Sequence, residues 1–142
     1  DFSAVIIEEM DVYLSEEAGQ HLRAQALEMP ERRAGGLLLG HRRAGRFFVE
    51  RVYPCSSGKL PTDRKYRALD RVFEGKIIGF YSSGRRAGVA AGKWPPFSCN
   101  KLYLEFDLHP EKGLILRPAV VEYTDSFHLV PAAVAGRPKR RR

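Results

Sequence analysis

The chain has 142 residues, which is enough for one domain with a single hydrophobic core. Hydrophobic residues make up 44% of it, which excludes an intrinsically disordered chain, and no apolar run approaches the ~20 residues that cross a bilayer. The net charge is +7, but five of the positive charges lie in residues 137–142, and removing them leaves +2. The basic character therefore belongs mainly to this C-terminal tail, which we expect to be disordered.

Cysteine content and the first residues indicate where the protein works. The two cysteines, Cys55 and Cys99, are too few and too far apart for a disulfide framework or a paired metal motif. The chain starts without a basic segment of the kind that opens a signal peptide. We therefore expect a cytoplasmic protein that does not associate with membranes.

The first part of the chain predicts strands at residues 4–7 and 10–14, followed by a helix over residues 15–28. Ser15 suits the N-cap, and Glu16 and Glu17 suit the first turn of a helix. Pro30 ends the helix. Its apolar face repeats at helical spacing through Leu14, Ala18, Leu22, Ala26 and Met29.

The middle of the chain predicts a hairpin and a second helix. Residues 36–41 form an apolar strand, residues 42–46 a turn that contains Gly45, and residues 47–53 the returning strand. Residues 56–64 are polar and predict a loop. Residues 65–73 have apolar residues at helical spacing, and Gly75 ends that helix.

The next segment is a buried strand that leads into a long polar loop, a common place for a site. Ile77, Ile78, Phe80 and Tyr81 form the strand, and the loop runs through glycine, alanine and arginine to two prolines at 95 and 96. Ser82, Ser83 and Gly84 stand where the strand ends.

The last third predicts further strands. Residues 102–107 alternate as a half-buried strand, and residues 114–123 return, with Pro118 suiting an edge or a break. Residues 127–130 add a short strand, and residues 131–136 form a linker. The predicted fold class is α+β, with a mixed sheet flanked by two or three helices, in one domain over residues 1–136.

Two segments resemble the JAB1/MPN/Mov34 (JAMM) metalloprotease domain. One is Gly36-Leu37-Leu38-Leu39-Gly40 with its hairpin, and the other is the Gly79-Phe80-Tyr81 strand with its loop. The resemblance covers about residues 10–130 and implies the JAMM fold, which is related in architecture to cytidine deaminases. In active members the second strand runs into His-Ser-His-Pro, and both histidines bind zinc.

The resemblance also implies that the catalytic motif is degenerate here. The zinc-ligand and catalytic-glutamate positions fall on residues without the required chemistry: Ser82, Gly84, Lys101 and Arg33. Glu31 and Ser98 are candidate remnants of the family motif. We therefore expect no cofactor, with zinc present only in a rearranged site, and we predict no catalytic or metal-binding residue.

The resulting functional prediction is a non-catalytic interaction or scaffold domain, since degenerate members of this superfamily often pair with an active relative in a ubiquitin-like-modifier system. Two alternatives stay open. One is a zinc-dependent isopeptidase with a rearranged site. The other is an anion or nucleic-acid binder that uses Arg85, Arg86, Lys93 and the basic tail.

The candidate binding residues are in the polar loop that follows the strand at Ile77 to Tyr81. Arg85, Arg86, Lys93, Trp94 and Phe97 are residue types that are common at interfaces with a protein partner or a second copy. Trp94 is also compatible with core packing over the strand end. Two other motifs are incomplete: the glycine-rich loop lacks the serine or threonine of a phosphate-binding loop, and Pro54-Cys55 is only half of a deaminase signature.

Overall fold

The fold was established from a computed structural model, which describes residues 11–28, 34–55, 60–84, 94–123 and 126–134. These residues form eight strands, two α-helices and a 3-10 turn at Pro96–Ser98. In chain order the main elements are β1 (Asp11–Leu14), α1 (Glu16–Glu28), β2 (Gly35–Arg43), β3 (Arg46–Pro54), α2 (Asp63–Val72), β4 (Ile77–Ser83), β5 (Leu102–His109), β6 (Gly113–Tyr123), β7 (Phe127–Pro131) and β8 (Ala133–Val134).

All eight strands belong to one mixed sheet in the order β7-β6-β5-β4-β2-β3-β1-β8. Strand β1 is parallel to both β3 and β8, strand β4 is parallel to β5, and the remaining pairs are antiparallel. The two edge strands, β7 and β8, are separated along the chain by Ala132 alone, whose N–H donates to the carbonyl of Pro118. The sheet is therefore nearly closed, like a barrel. The predicted α+β class is confirmed, but the closure was not predicted.

Helix α1 begins where the sequence predicted. The Ser15 hydroxyl accepts from the N–H of Ala18 at 3.0 Å, which satisfies one of the free N–H groups at the helix start. Ala18 and Leu22 are fully buried against one face of the sheet, with Val12 of β1 in the same cluster. The amphipathic pattern therefore identified the buried side of this helix correctly.

Helix α2 begins two residues earlier than predicted because Thr62 is its N-cap. The Thr62 hydroxyl accepts from the N–H of Lys65 at 3.2 Å. The helix ends at Val72, and Gly75 then adopts a φ of +74°, as a glycine after a helix commonly does. Tyr66 of this helix packs in a second cluster, on the other face of the sheet from the α1 cluster, and stacks on Phe97 with ring centroids 4.2 Å apart.

Three glycines lie where the backbones of neighbouring strands approach closely, and all three belong to the two segments that resemble the JAMM domain. A Cβ on Gly36, Gly40 or Gly79 would lie 1.9–2.2 Å from a carbonyl oxygen of the neighbouring strand. Real Cβ atoms do not come so close, so any other residue requires the strands to move apart. The pairing of β2 with β3 also shifts register between Leu39 and Gly40. These glycines therefore permit the irregular contact between the central strands.

Three expectations for the C-terminal third need correction. Strand β5 is not half-buried: Leu102 to Phe106 are buried on both faces, because Trp94 packs against Tyr103 on the side predicted to be exposed. The predicted linker contains strand β8. Pro118 lies inside β6 and neither ends nor interrupts the strand. The pairing of β6 with β7 begins at the next residue, Ala119, so the missing N–H of Pro118 costs no hydrogen bond to β7.

Some predictions fall on residues outside the described ranges. They include the strand at residues 4–7, most of the loop that follows β4 (residues 85–93) and the tail at residues 137–142. Within the described ranges, no helix is long and apolar enough to cross a membrane.

Candidate functional site

The candidate site is the end of β4, where the strand reaches Ser82, Ser83 and Gly84. All three residues are buried, and Gly84 has a φ of +79° that turns the chain out of the sheet. Ser82 lies beside Glu105 in the parallel pairing with β5, and Ser83 lies beside Phe106. Because side chains alternate along a strand, the two serines face opposite sides of the sheet.

The Ser82 side chain is enclosed by hydrogen bonds. It is 2% exposed, and its hydroxyl donates to the carbonyl of Gly84 at 2.8 Å. The Tyr103 hydroxyl lies 2.6 Å away and, since the Ser82 proton is already committed, donates to the Ser82 oxygen. Ser82 thus links the end of β4 to β5.

The opposite face of the strand end has a second set of polar contacts. The Ser83 hydroxyl accepts from the N–H of Ala34 at 3.1 Å, which attaches the strand end to the segment before β2. Next to it, the Gln25 amide of α1 donates to the Tyr81 hydroxyl at 2.7 Å. Burial raises the pKa of Tyr81, so this phenol stays protonated.

Glu105 is a buried carboxylate beside Ser82 that sequence reasoning missed. It is 4% exposed, and the Nε of Arg117 donates to its Oε1 at 3.3 Å. Arg117 also bonds Asp107, and that hydrogen bond is the main cause of its raised pKa. The available signal was position: Glu105 follows Tyr103 by two residues and therefore shares its face of the strand.

Lys101 is not at the strand end, contrary to the expectation from the resemblance. Leu102 pairs with Gly79, so Lys101 enters β5 beside Ile78, near the start of β4. It precedes Glu105, the residue beside Ser82, by four positions, or roughly 13 Å along a strand. The reason is the path of the chain, because Ser98 and the 3-10 turn join β5 at its N-terminal end.

The described residues do not fit the zinc that the family resemblance implies. At this strand end the Ser82 hydroxyl is already used in hydrogen bonds, Gly84 has no side chain, and Lys101 is distant. Ser98 is fully buried and its hydroxyl donates to the carbonyl of Pro95 at 2.6 Å. No group of three His, Cys, Asp or Glu side chains suitable for a metal occurs among the residues the structure describes. Glu31 and Arg33 lie outside them.

The structure describes two of the five predicted binding residues, Trp94 and Phe97, and both pack against other aromatic rings. Trp94 is only 6% exposed and packs edge-on against Tyr103, with ring centroids 5.1 Å apart. Trp94 is therefore a core residue, and its assignment as an exposed interface residue is wrong. Phe97 is partly buried against Tyr66. Arg85, Arg86 and Lys93 lie outside the described residues.

Comparison with known proteins supports the fold alone. No protein-family model matches the chain, and no curated protein matches it. It is similar to the solution structure of protein DSY2949 from Desulfitobacterium hafniense, with a TM-score of 0.60, 19% identity, and coverage of 90% of this chain and 95% of that one. A protein from Salinibacter ruber gives a TM-score of 0.54, 15% identity, and coverage of 91% and 94%. The chain thus has the mixed α+β fold of these two structures.

Proposed function

We propose that this protein is a non-catalytic domain of the JAMM type that works by binding another protein. The described side chains at the end of β4 form hydrogen bonds that support structure rather than hydrolysis. By the resemblance, the partner is a second copy or a related domain in a ubiquitin-like-modifier system.

One observation carries the proposal, namely the hydrogen bonding of Ser82. In active JAMM domains this position is a zinc-binding histidine. In this chain the hydroxyl bonds the Gly84 carbonyl and the Tyr103 hydroxyl, both within 2.8 Å. The Ser82 hydroxyl donates its proton to the Gly84 carbonyl and bonds no imidazole or carboxylate among the described residues. A hydroxyl that no base activates is a weak nucleophile at neutral pH.

The order of elements gives further support. A strand and helix, then a hairpin with closely packed glycines, then a helix, lead to strand β4, which ends at Ser83. This is the order in which the two family segments were recognised. The closely packed glycines explain physically why Gly36, Gly40 and Gly79 are part of the pattern.

The buried position of Trp94 changes which residues are expected to meet a partner. Because Trp94 packs in the core, we no longer assign it to the interface. Arg85, Arg86 and Lys93, which follow β4 in the chain, remain the proposed contacts. Helix α1 is a further candidate surface, since it exposes Leu27, whose relative accessible area is 66%. Arginine and apolar side chains are both found in interfaces.

Sedimentation velocity over a wide concentration range tests self-association directly. We expect the chain to associate, and we expect replacement of Arg85 and Arg86 by Glu to weaken association by at least about tenfold if they are interface anchors. The matched control replaces Arg64 and Arg67 of α2 by Glu, which changes the charge equally. A chain that stays monomeric and binds no related JAMM-type domain added in trans would contradict the proposal.

The two alternatives make different predictions in the same preparation. An isopeptidase with a rearranged site must cleave a linked modifier and lose activity with a chelator. A nucleic-acid binder must show binding that weakens steeply with salt and with removal of residues 137–142. Either result, without protein association, would replace the proposed function.

A further inference from the structure

A cavity of about 500 Å³ lies at the end of β4 opposite to Ser82. It is open to solvent and lined by the β2–β3 hairpin, the residues that lead into β4, and the segment that precedes β5. Its volume is within the range of small-molecule sites. Neither the resemblance nor the proposed function involves this cavity, so the two can fail separately.

Positive charge dominates the lining. Its basic residues are His41, Arg42, Lys76 and Lys101. Its one lining carboxylate, Glu50, contacts the Nδ1 of His41 at 3.1 Å. Within the described residues, Arg42, Lys76 and Lys101 form no ion pair, although Asp70 acts on Lys101 from a longer distance.

Arg42 is held in place without being neutralised. Its Nε donates to the carbonyl of Ala44 at 3.3 Å, and its Nη1 donates to the carbonyl of Asn100 at 3.1 Å. Its guanidinium also lies over the ring of Phe47, with Cζ 4.7 Å from the ring centroid. These partners are neutral, so a fixed positive charge faces the cavity. Binding an anion then requires little ordering of the side chain.

Lys101 is the more buried of the lysines in this wall. Its pKa is lowered mainly by desolvation, with repulsion from Arg42 adding to the effect and attraction from Asp70 opposing it. Two like charges kept near each other in a half-buried site are unfavourable alone. An anion between them would relieve the repulsion and favour the charged form of the lysine.

The backbone of the wall is already satisfied. The N–H groups of Lys76, Asn100 and Lys101 donate to carbonyls of Phe73, Val121 and Ser98 at distances of 2.7–3.0 Å. A ligand must therefore be held by side-chain cations. The remaining lining includes Ile78, which is 9% exposed and suits an apolar portion of the ligand.

We propose that this cavity binds a small organic phosphate through Arg42, Lys76 and Lys101. A phosphate offers several acceptor oxygens and up to two negative charges, which match the three cations that line the cavity better than one carboxylate does. The cavity is larger than a phosphate group needs, so the organic part of the ligand lies against Ile78.

Calorimetric titration of the full chain with adenosine monophosphate and with inorganic phosphate tests this assignment. We expect saturable binding at one site, with the two compounds competing and the nucleotide binding more tightly. Lys101→Gln and Lys76→Gln should each weaken binding by about tenfold, the usual effect of losing a hydrogen bond to a charged group.

Lys112→Gln is the matched control, because Lys112 is exposed in the turn between β5 and β6 and its loss changes the net charge equally. It should bind like the parent chain. Thermal melting of each variant checks the fold, and Lys76 is exposed, so its replacement leaves the core intact. The proposal is overturned if neither compound binds saturably, or if Lys112→Gln weakens binding as much as Lys101→Gln does.

Discussion

The contact between Gln25 and Tyr81 shows how single polar side chains join helix α1 to the central strand. Gln25 is 8% exposed and Tyr81 is 2% exposed, and their hydrogen bond of 2.7 Å crosses the core between elements far apart in the sequence. The Oε1 of Gln25 has no hydrogen-bond partner in the described part of the chain. The pair is therefore only partly satisfied, and its two members depend on each other.

A double-mutant cycle on this pair should give strongly non-additive stabilities. Tyr81→Phe leaves the Gln25 amide without its acceptor, and Gln25→Leu leaves the Tyr81 hydroxyl without its donor, so each should cost about 1–3 kcal/mol of unfolding free energy. The double variant removes both polar groups and should be close to the parent chain or more stable. Urea denaturation measures all three, and additive losses would show that the bond is not the main link.

At the scale of an element, strand β2 shows which part of a sequence motif is structural. A Cβ on Gly40 would lie 1.9 Å from the carbonyl oxygen of Phe48, which is backbone and cannot move aside cheaply. Gly19 of helix α1 has nothing within 4 Å of the same position. Replacement by alanine should therefore have opposite effects on stability at the two glycines.

Gly40→Ala should destabilise the protein by several kcal/mol or prevent folding, because the β2–β3 contact must open. Gly19→Ala should stabilise it by roughly 0.5–1 kcal/mol, since alanine loses less backbone entropy in a helix. Thermal melting of both variants gives the comparison. A Gly40→Ala protein as stable as the parent would show that the strands are further apart than described.

The elements that sequence predicts well are those with local signals. The helix α1 cap at Ser15, the β2–β3 hairpin and the apolar run of β4 all have residues whose own preferences agree with the fold. The position of Lys101 had no such signal. It depends on where the chain re-enters the sheet and on its parallel register with β4, and neither is encoded within the segment. The family resemblance, which set Lys101 at a zinc-ligand position, therefore did not predict that it enters the sheet near the start of β4.

Three further differences have the same origin. Trp94 among prolines is compatible with both a core and an interface, and only its contact with Tyr103 decides between them. Glu105 became a site residue because parallel pairing sets it beside Ser82. Strand β8 is two residues of small side chains whose pairing with β1 is entirely non-local. Long-range pairing thus determines the parts that could not be predicted.

At the scale of the whole molecule, the chain from β7 to β8 links the two edges of the sheet. Strand β7 pairs with β6, and two residues later β8 pairs with β1 on the other side. Exposed strand edges favour wrong pairing with other chains, so near-closure limits that exposure. The closing segment is short, which makes it accessible to a truncation experiment.

Two truncations separate closure from the basic tail. Removing residues 135–142 should leave the melting temperature within about two degrees, because surface changes usually alter stability by less than ~0.5 kcal/mol. Removing residues 132–142 also deletes β8 and the bond from Ala132 to Pro118, and should lower it by several degrees. Equal melting temperatures would mean that β8 adds nothing to the sheet, and a large loss from the shorter deletion would mean that the tail binds the body.

Zinc content tests most directly whether the end of β4 is a structural junction and not a metal centre. The chain should be expressed with added zinc, purified without chelators and dialysed, and its metal then measured by elemental analysis against protein from amino-acid analysis. Because the Ser82 hydroxyl is already bonded to Gly84 and Tyr103, we expect far less than one zinc per chain. One retained zinc per chain, lost when His41, Cys55, Cys99 or His109 is replaced, would contradict the proposed function.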